Sequence, residues 1–347
     1  MKKVMFVMPN TGYSGAEKVV IQIMDYLRNQ YDFVYVSRNG RIAKYLDENN
    51  IRHRITKKKL NRKELQSIIE EEKPDIIHAT DYRASTIMST IKTGIPLISH
   101  VHNNPPWLRG INVNSILYLM ASSKFEKILT VSDSIEKEYI FGNKIKDKII
   151  NISNPLDRNE ILKKVNKEPN KKYDICCVGR LCEQKNPLRF VNIIEKIKKI
   201  KPDISVIMVG DGELEGIIKE TIRKKQLSEN IKMIGFQENA YQLMEESKIF
   251  CLTSEWEGFG LVAFEAITLG VPAYVPPVGG LVDIVNNKAG NLCKSDDEFV
   301  EEMIKVINDD EVYKERSQGA VERSIEIENI CDYMKKISDI YEEILRK

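Results

Sequence analysis

The 347-residue chain holds no run of 18 apolar residues, so no membrane-spanning helix is expected. Its apolar opening, Val4 to Met8, is cut by Pro9 and Asn10 before it reaches the length of a secretory leader core, so no export signal is expected either. No Asp-x-Asp occurs, and no glycine-rich loop matches the Walker or dinucleotide spacing. Cysteine is sparse: Cys176, Cys177, Cys182, Cys251, Cys293 and Cys331 all fall in the second half, mostly inside apolar runs, and read as reduced core thiols. Cys177 and Cys182 lack the second ligand pair that zinc needs. With 12 Pro, 18 Gly, 42% hydrophobic and 30% charged residues, the composition is neither disordered nor fibrous. A net charge of +2 gives no basis for a nucleic-acid binder.

What is present is length enough for two domains. The small net charge hides a split, +9 over residues 1–170 and −7 over residues 171–347, which points to different partners for the two halves. Short β-branched runs alternate with helix-period segments, the pattern of βαβ units and parallel sheets. Strands are expected near Val4–Met8, Phe33–Ser37, Asp75–Ala79, Pro96–Val101, Ile128–Val131 and Ile149–Ile152. A polar segment from Asp157 to Lys172, with Glu168-Pro169-Asn170, is the linker candidate. The pattern resumes with strands at Tyr173–Val178, Ile204–Val209, Ile231–Ile234, Ile249–Leu252 and Val271–Val275, and turns helical from Asp296 to the end. The expectation is an α/β protein of two Rossmann-like doubly wound domains facing a cleft. It divides as residues 1–165, residues 166–328, and a final helix, 329–347, returning to the first domain.

In such sheets ligands meet the loops after the strands' carboxyl ends. After the first strand, Gly12-Tyr13-Ser14-Gly15-Ala16-Glu17 leads into a helix and reads as a phosphate approach or simply a tight turn. After Tyr173–Val178, Arg180 and Lys185 stand five apart and suit a diphosphate, the guanidinium as a fork and the ammonium as a point charge. After Ile249–Leu252, Glu257 and Glu265 stand eight apart around Gly258-Phe259-Gly260-Leu261, where carboxylates suit vicinal hydroxyls and helix-start amides suit a phosphate or sugar oxygen. His100 and His102 share one face of a strand, without an acidic or cysteine partner at ligand spacing, so no metal site is expected. His102 is the better catalytic candidate because it lies nearer the strand end and Asn103 follows it. Trp107 reads as an acceptor platform or a core residue, and Lys57-Lys58-Lys59 with Arg62 and Lys63 as a contact for anionic headgroups or a solvated face.

The Glu257-to-Glu265 segment, followed by Gly270-Val271-Pro272, closely resembles the E-x7-E signature of retaining GT-B glycosyltransferases, especially glycosyltransferase family 4. Ser14-Gly15-Ala16-Glu17, His102-Asn103, Asn154-Pro155-Leu156-Asp157, Gly179-Arg180 with Lys185-Asn186-Pro187, and Gly210-Asp211-Gly212 match the family's other motifs in order, so the resemblance covers the whole chain. It implies a metal-independent, retaining transfer of sugar from a nucleotide diphosphate sugar, by family frequency a UDP-hexose or UDP-N-acetylhexosamine. The acceptor would be a hydroxyl of a glycan or lipid-linked glycan in bacterial surface polysaccharide assembly, with no cofactor beyond the donor. The resemblance assigns the donor diphosphate to Arg180, Lys185 and the Gly15 amide, the ribose to Glu265, and the donor sugar to Glu257 with the Phe259 and Gly260 amides. His102 would act near the reacting centre, and Asn103 and Trp107 on the acceptor side. Ser14 stands where the family has the first Gly of a pair, which would tighten the approach to phosphate or add a hydroxyl donor. The implied location is cytoplasmic, with peripheral contact at the inner face of the membrane through the basic half. A GT-B nucleotide-sugar epimerase and a non-catalytic glycan-binding partner subunit remain the alternatives.

Overall fold

The computed structural model describes residues 1–57, 59–165 and 171–347. Lys58, and with it the centre of the lysine run, and residues 166–170, which include Glu168-Pro169-Asn170, lie outside the described residues. Two compact units divide the chain: Met1–Pro155 with Asn329–Lys347, and Leu156–Glu328.

Among the described residues the first unit holds seven strands: β1 (Lys2–Val7), β2 (Tyr31–Arg38), β3 (His53–Thr56), β4 (Ile76–Thr80), β5 (Leu97–Val101), β6 (Lys127–Thr130) and β7 (Ile149–Asn151). They form one parallel sheet in the order β3-β2-β1-β4-β5-β6-β7. Covered on both faces, its central strands are largely apolar, and Val4 to Met8 run without a polar break and are fully buried. The order reverses between β1 and β4, so the loops after β1, β4 and β5 lie side by side at the carboxyl edge. The last helix, Ile330–Leu345, belongs to this unit and packs on the helix Gly15–Leu27. It buries Tyr333, Met334, Ile337, Tyr341 and Ile344 at helical spacing, each worth about 1.5–3 kcal/mol.

The second unit holds β8 (Tyr173–Val178), β9 (Val206–Val209), β10 (Ile231–Met233), β11 (Ser247–Cys251), β12 (Ala273–Val275) and β13 (Gly290–Leu292), parallel in the order β10-β9-β8-β11-β12-β13. Ile175, Val206, Met208, Ile249 and Cys251 from the sheet pack with Phe190 and Phe299 from the helices Pro187–Lys198 and Asp296–Asn308. Here the order reverses between β8 and β11, which pair Ile175 with Ile249 and Cys176 with Phe250. The loops after these two strands are therefore neighbours, although about 70 residues of chain separate them.

Three differences from the sequence expectation have physical causes. Residues 156–165 fall in the second unit, not the first, because the helix Arg158–Leu162 packs on the helix Leu261–Thr268, and the Arg158 guanidinium donates to the Ser324 hydroxyl at 2.9 Å. Two edge strands, β3 and β13, were not expected: His53-Arg54-Ile55-Thr56 is half polar, and Gly290-Asn291-Leu292 spans only three residues. Five of the six cysteines are buried, and burial pushes the Cys176, Cys177 and Cys293 thiols up to about 12, but Cys331 is exposed. Among the described residues no helix is long and apolar enough to cross a membrane.

Candidate active site

In the second unit, the β8 loop and the β11 loop are joined by a set of polar contacts. The Lys185 ammonium pairs with the Glu257 carboxylate, which also accepts from the Ser254 hydroxyl at 2.7 Å. Glu257 is 4% exposed, so its charge is held by these two donors and not by water. Around the pair, the Gln184 side chain donates to the Trp256 carbonyl at 3.1 Å and the Gln184 carbonyl accepts from the Glu255 amide at 2.9 Å. The Thr253 hydroxyl donates to the Asn186 carbonyl at 2.9 Å. Arg180 is exposed and donates to the Gln184 amide oxygen at 3.0 Å. Expected as twin cations, Arg180 and Lys185 thus differ: the guanidinium faces solvent beside a neutral amide, and the ammonium is committed to Glu257.

The turn after Glu257 is pressed from behind by the loop after β12. A Cβ on Gly279 would lie 1.8 Å from the Glu257 carbonyl oxygen, and one on Gly280 would lie 2.7 Å from the Phe259 Cα. The Gly280 amide donates to the Gly258 carbonyl at 3.1 Å. Gly260 takes φ +95° to start the helix Leu261–Thr268. Among the described residues, the backbone N–H groups of Phe259, Gly260 and Leu261 make no hydrogen bond. Glycine-bounded, free amides at a helix start form a cradle for an anion or a sugar oxygen. One turn further on, Glu265 is half-buried and accepts from the Tyr241 hydroxyl at 3.2 Å. Gly210 and Gly212 have a related role on the other side of β8: a Cβ on either would meet the carbonyl of Gly179 or Leu181 within 2.5 Å.

In the first unit, the Ser14 amide and hydroxyl both donate to the Glu17 carboxylate, which is fully buried and also accepts from Asn10 at 3.0 Å. This locks the turn before the helix Gly15–Leu27. The Ser14 hydroxyl is therefore used internally instead of being offered to a phosphate. The His102 amide donates to Asp81 at 3.0 Å, and Asp81 takes φ +62° at the neighbouring end of β4. Burial holds the His102 imidazole down at about 4, against the upward pull of the Asn154 side chain, so the ring is neutral near pH 7. Among the described residues, neither His102 ring nitrogen nor Asn154 Oδ1 makes a well-formed hydrogen bond.

Behind His102 lies a buried chain. The Tyr341 hydroxyl meets His78 Nδ1 at 2.8 Å, His78 Nε2 meets His100 Nδ1 at 3.1 Å, and the His100 and His102 rings lie 4.0 Å apart. His100 is thus a packed residue. Burial pushes His78 down to about 3 and His100 well below its ordinary value. Asn103 is half-buried, and its side-chain oxygen accepts from the Asn104 amide at 3.0 Å. Trp107 is half-buried with its ring edge-on to Tyr82 at 4.9 Å, so it is neither an open platform nor a core residue. Among the described residues, no three His, Cys, Asp or Glu side chains converge as metal ligands.

The sequence did not single out Ser254, Gln184, Tyr241, Asp81 or the Gly279-Gly280 pair. Ser254 had a signal, since Ser-x-x-Glu is the spacing at which a hydroxyl and a carboxylate meet across a turn. The others depend on which strands are neighbours.

Two parallel-sheet Rossmann-like units, with polar loops at the carboxyl ends beside each topological switch point, define the GT-B class of glycosyltransferase structures. The crystal structure of Anabaena Alr3699/HepE in complex with UDP-glucose superposes with a TM-score of 0.85 over 99% of this chain and 100% of that one, at 17% identity. Residues 158–323 match the family model of glycosyl transferases group 1, and residues 13–160 match that of glycosyltransferase family 4. The chain belongs to this family of glycosyltransferases. Among its relatives, the Escherichia coli UDP-Gal:alpha-D-GlcNAc-diphosphoundecaprenol alpha-1,3-galactosyltransferase is 26% identical, with 94% of this chain and 93% of that one covered. A Campylobacter jejuni GalNAc-alpha-(1->4)-GalNAc-alpha-(1->3)-diNAcBac-PP-undecaprenol alpha-1,4-N-acetyl-D-galactosaminyltransferase is 24% identical over 98% of this chain and 99% of that one.

Proposed function

We propose that the protein transfers a hexose or N-acetylhexosamine from its UDP-linked donor to a hydroxyl of a lipid-linked glycan, with retention of configuration and without a metal ion, in bacterial surface polysaccharide assembly. The observation that carries this reading is the cradle of the second unit: free amides from Phe259 to Leu261, with the Glu257 carboxylate and two cations on the adjoining β8 loop. Glu257 and the amides hold the donor sugar, Arg180 and Lys185 the diphosphate, and Glu265 the ribose hydroxyls. As the bond from the sugar carbon to the diphosphate breaks, charge grows on the departing oxygen, and the cations stabilise it as a metal would elsewhere. The acceptor hydroxyl attacks from the face the diphosphate leaves, which preserves the configuration, and its proton passes to the departing diphosphate oxygen. The first unit supplies Ser14 and Gly15 as a locked turn, the neutral His102, and acceptor contacts at Asn103 and Trp107. The lipid-linked acceptor is supported by the relatives that act on diphosphoundecaprenol glycans, and it implies work at the cytoplasmic face of a membrane.

The test is transfer from a panel of UDP-sugars to a polyprenyl-diphosphate glycan in the presence of a chelator, with the product anomer read by NMR. An α-linked product from an α-linked donor supports the reading. An inverted product, or activity restored only by a divalent cation, refutes it.

A further inference from the structure

Glu265 sits on the helix Leu261–Thr268, which buries Ala263, Phe264, Ala266 and Ile267, and two short helices pack against it, Tyr241–Glu245 and Arg158–Leu162. The first brings in Tyr241, 24 residues earlier in the chain, whose hydroxyl donates to Glu265 Oε1 at 3.2 Å. Tyr241 is buried, and a buried phenol needs an acceptor for its O–H; here the carboxylate supplies it. The Tyr241 ring and backbone are themselves held. Asn239 accepts from the Tyr241 amide at 3.1 Å and donates to the Lys164 carbonyl at 2.9 Å. The Lys164 ammonium, paired with Glu160 at 3.0 Å, stands 5.7 Å from the centre of the Tyr241 ring. The attraction of that cation to the ring adds to the hold on the phenol.

We propose that Tyr241 is a positioning residue for the donor's ribose: its hydroxyl holds the Glu265 carboxylate in the rotation that accepts from the 2′- and 3′-hydroxyls, and so sets the preference of the site for ribose over a deoxygenated sugar. The proposal rests on the reading of Glu265 as the ribose residue and adds how that carboxylate is oriented. The two carboxylates of the site are held differently. Glu257 is paired with the Lys185 cation, whereas the donor to Glu265 Oε1 is a neutral hydroxyl. A neutral donor fixes the rotation of a carboxylate without cancelling its charge, and a carboxylate with about four lone-pair directions still accepts from two vicinal hydroxyls. Hydrogen bonds weaken steeply as the angle at the hydrogen falls toward about 120°, so a carboxylate that turns freely meets the geometry of both hydroxyls only part of the time. Tyr241→Phe removes this one hydroxyl and keeps the ring that packs.

The experiment is calorimetric titration of the full chain with UDP and with 2′,3′-dideoxy-UDP, in wild type, Tyr241→Phe, Glu265→Gln and the double variant. Wild type is expected to bind UDP about tenfold more tightly than the dideoxy nucleotide, and Glu265→Gln to bring the two close to parity. Tyr241→Phe should lower the preference to about threefold by weakening UDP alone, with the dideoxy nucleotide bound as in wild type. In the double variant the preference should match that of Glu265→Gln, because Tyr241 acts through the carboxylate. A merely structural role for the hydroxyl would weaken both nucleotides equally and leave the preference intact. That result, or a wild-type preference with unchanged affinities in Tyr241→Phe, overturns the proposal, while parity in Glu265→Gln would still support the ribose reading. A wild-type preference in Glu265→Gln refutes the ribose reading itself and the proposal with it.

Discussion

Replacing Lys185 by Met tests whether the Glu257 carboxylate depends on it. Glu257 is 4% exposed, and after the substitution the Ser254 hydroxyl is its one remaining partner among the contacts described, at 2.7 Å. Removing one member of a buried ion pair costs about 3–5 kcal/mol. The residual hydroxyl bond, and the 16% exposure of the Lys185 side chain, put this case near the lower end, about 3 kcal/mol. Glu257→Gln keeps an acceptor for Ser254 and leaves an ammonium that can reach water, costing about 1–2 kcal/mol. The double variant Lys185→Met/Glu257→Gln removes both charges and should cost no more than Lys185→Met alone, a coupling of about 1–3 kcal/mol. Two units preclude a single two-state transition, so the second must be followed alone. Trp256 lies in it and Trp107 in the first, and these are the two tryptophans of the chain; urea unfolding read by fluorescence in a Trp107→Phe background therefore reports the second unit. Additive costs, within about 0.5 kcal/mol, would refute the pairing.

Three further outcomes are expected. Gly279→Ala would set a Cβ 1.8 Å from the Glu257 carbonyl oxygen at φ +53°, so it should displace the turn and abolish the thermal shift with UDP-sugars, while the far side of the unit retains its amide-exchange protection. Glu265→Gln should weaken UDP binding by about tenfold and leave free-sugar inhibition unchanged, as titration calorimetry would show; equal loss of both would contradict a ribose role. The buried histidines have folded pKa values below the unfolded value near 6.5, so the unfolded chain binds more protons as the pH falls and stability is lost downward from about 6.5 toward about 4 for His102. By pH 5 each such histidine costs about 2 kcal/mol, and His102→Gln should flatten that slope in urea titrations of the first unit.

The two sheets were legible because parallel strands covered on both faces read as nearly continuous apolar runs, as Val4 to Met8 and Ile175 to Val178 do. β3 was not, since an edge strand carries His53 and Arg54 without penalty. The Glu257 and Lys185 loops were each visible, yet their ion pair depends on β8 lying beside β11, which local spacing does not encode. Which apolar residues of the helix Val113–Ser122 face outward follows from where Tyr118 and Ala121 are buried, which depends on the packing of the whole unit. The Ser14 hydroxyl turned to Glu17 had the same Ser-x-x-Glu signal as Ser254 and Glu257.

The central claim is that the second unit holds a nucleoside diphosphate with its own cations and amides. Calorimetric titration of the full chain with UDP and with UMP, in the presence of a chelator, tests it most directly. The account predicts that UDP binds at least tenfold more tightly than UMP, and that Arg180→Ala removes this preference without weakening UMP. Equal affinity for the two nucleotides, or an unaltered preference in Arg180→Ala, would contradict it.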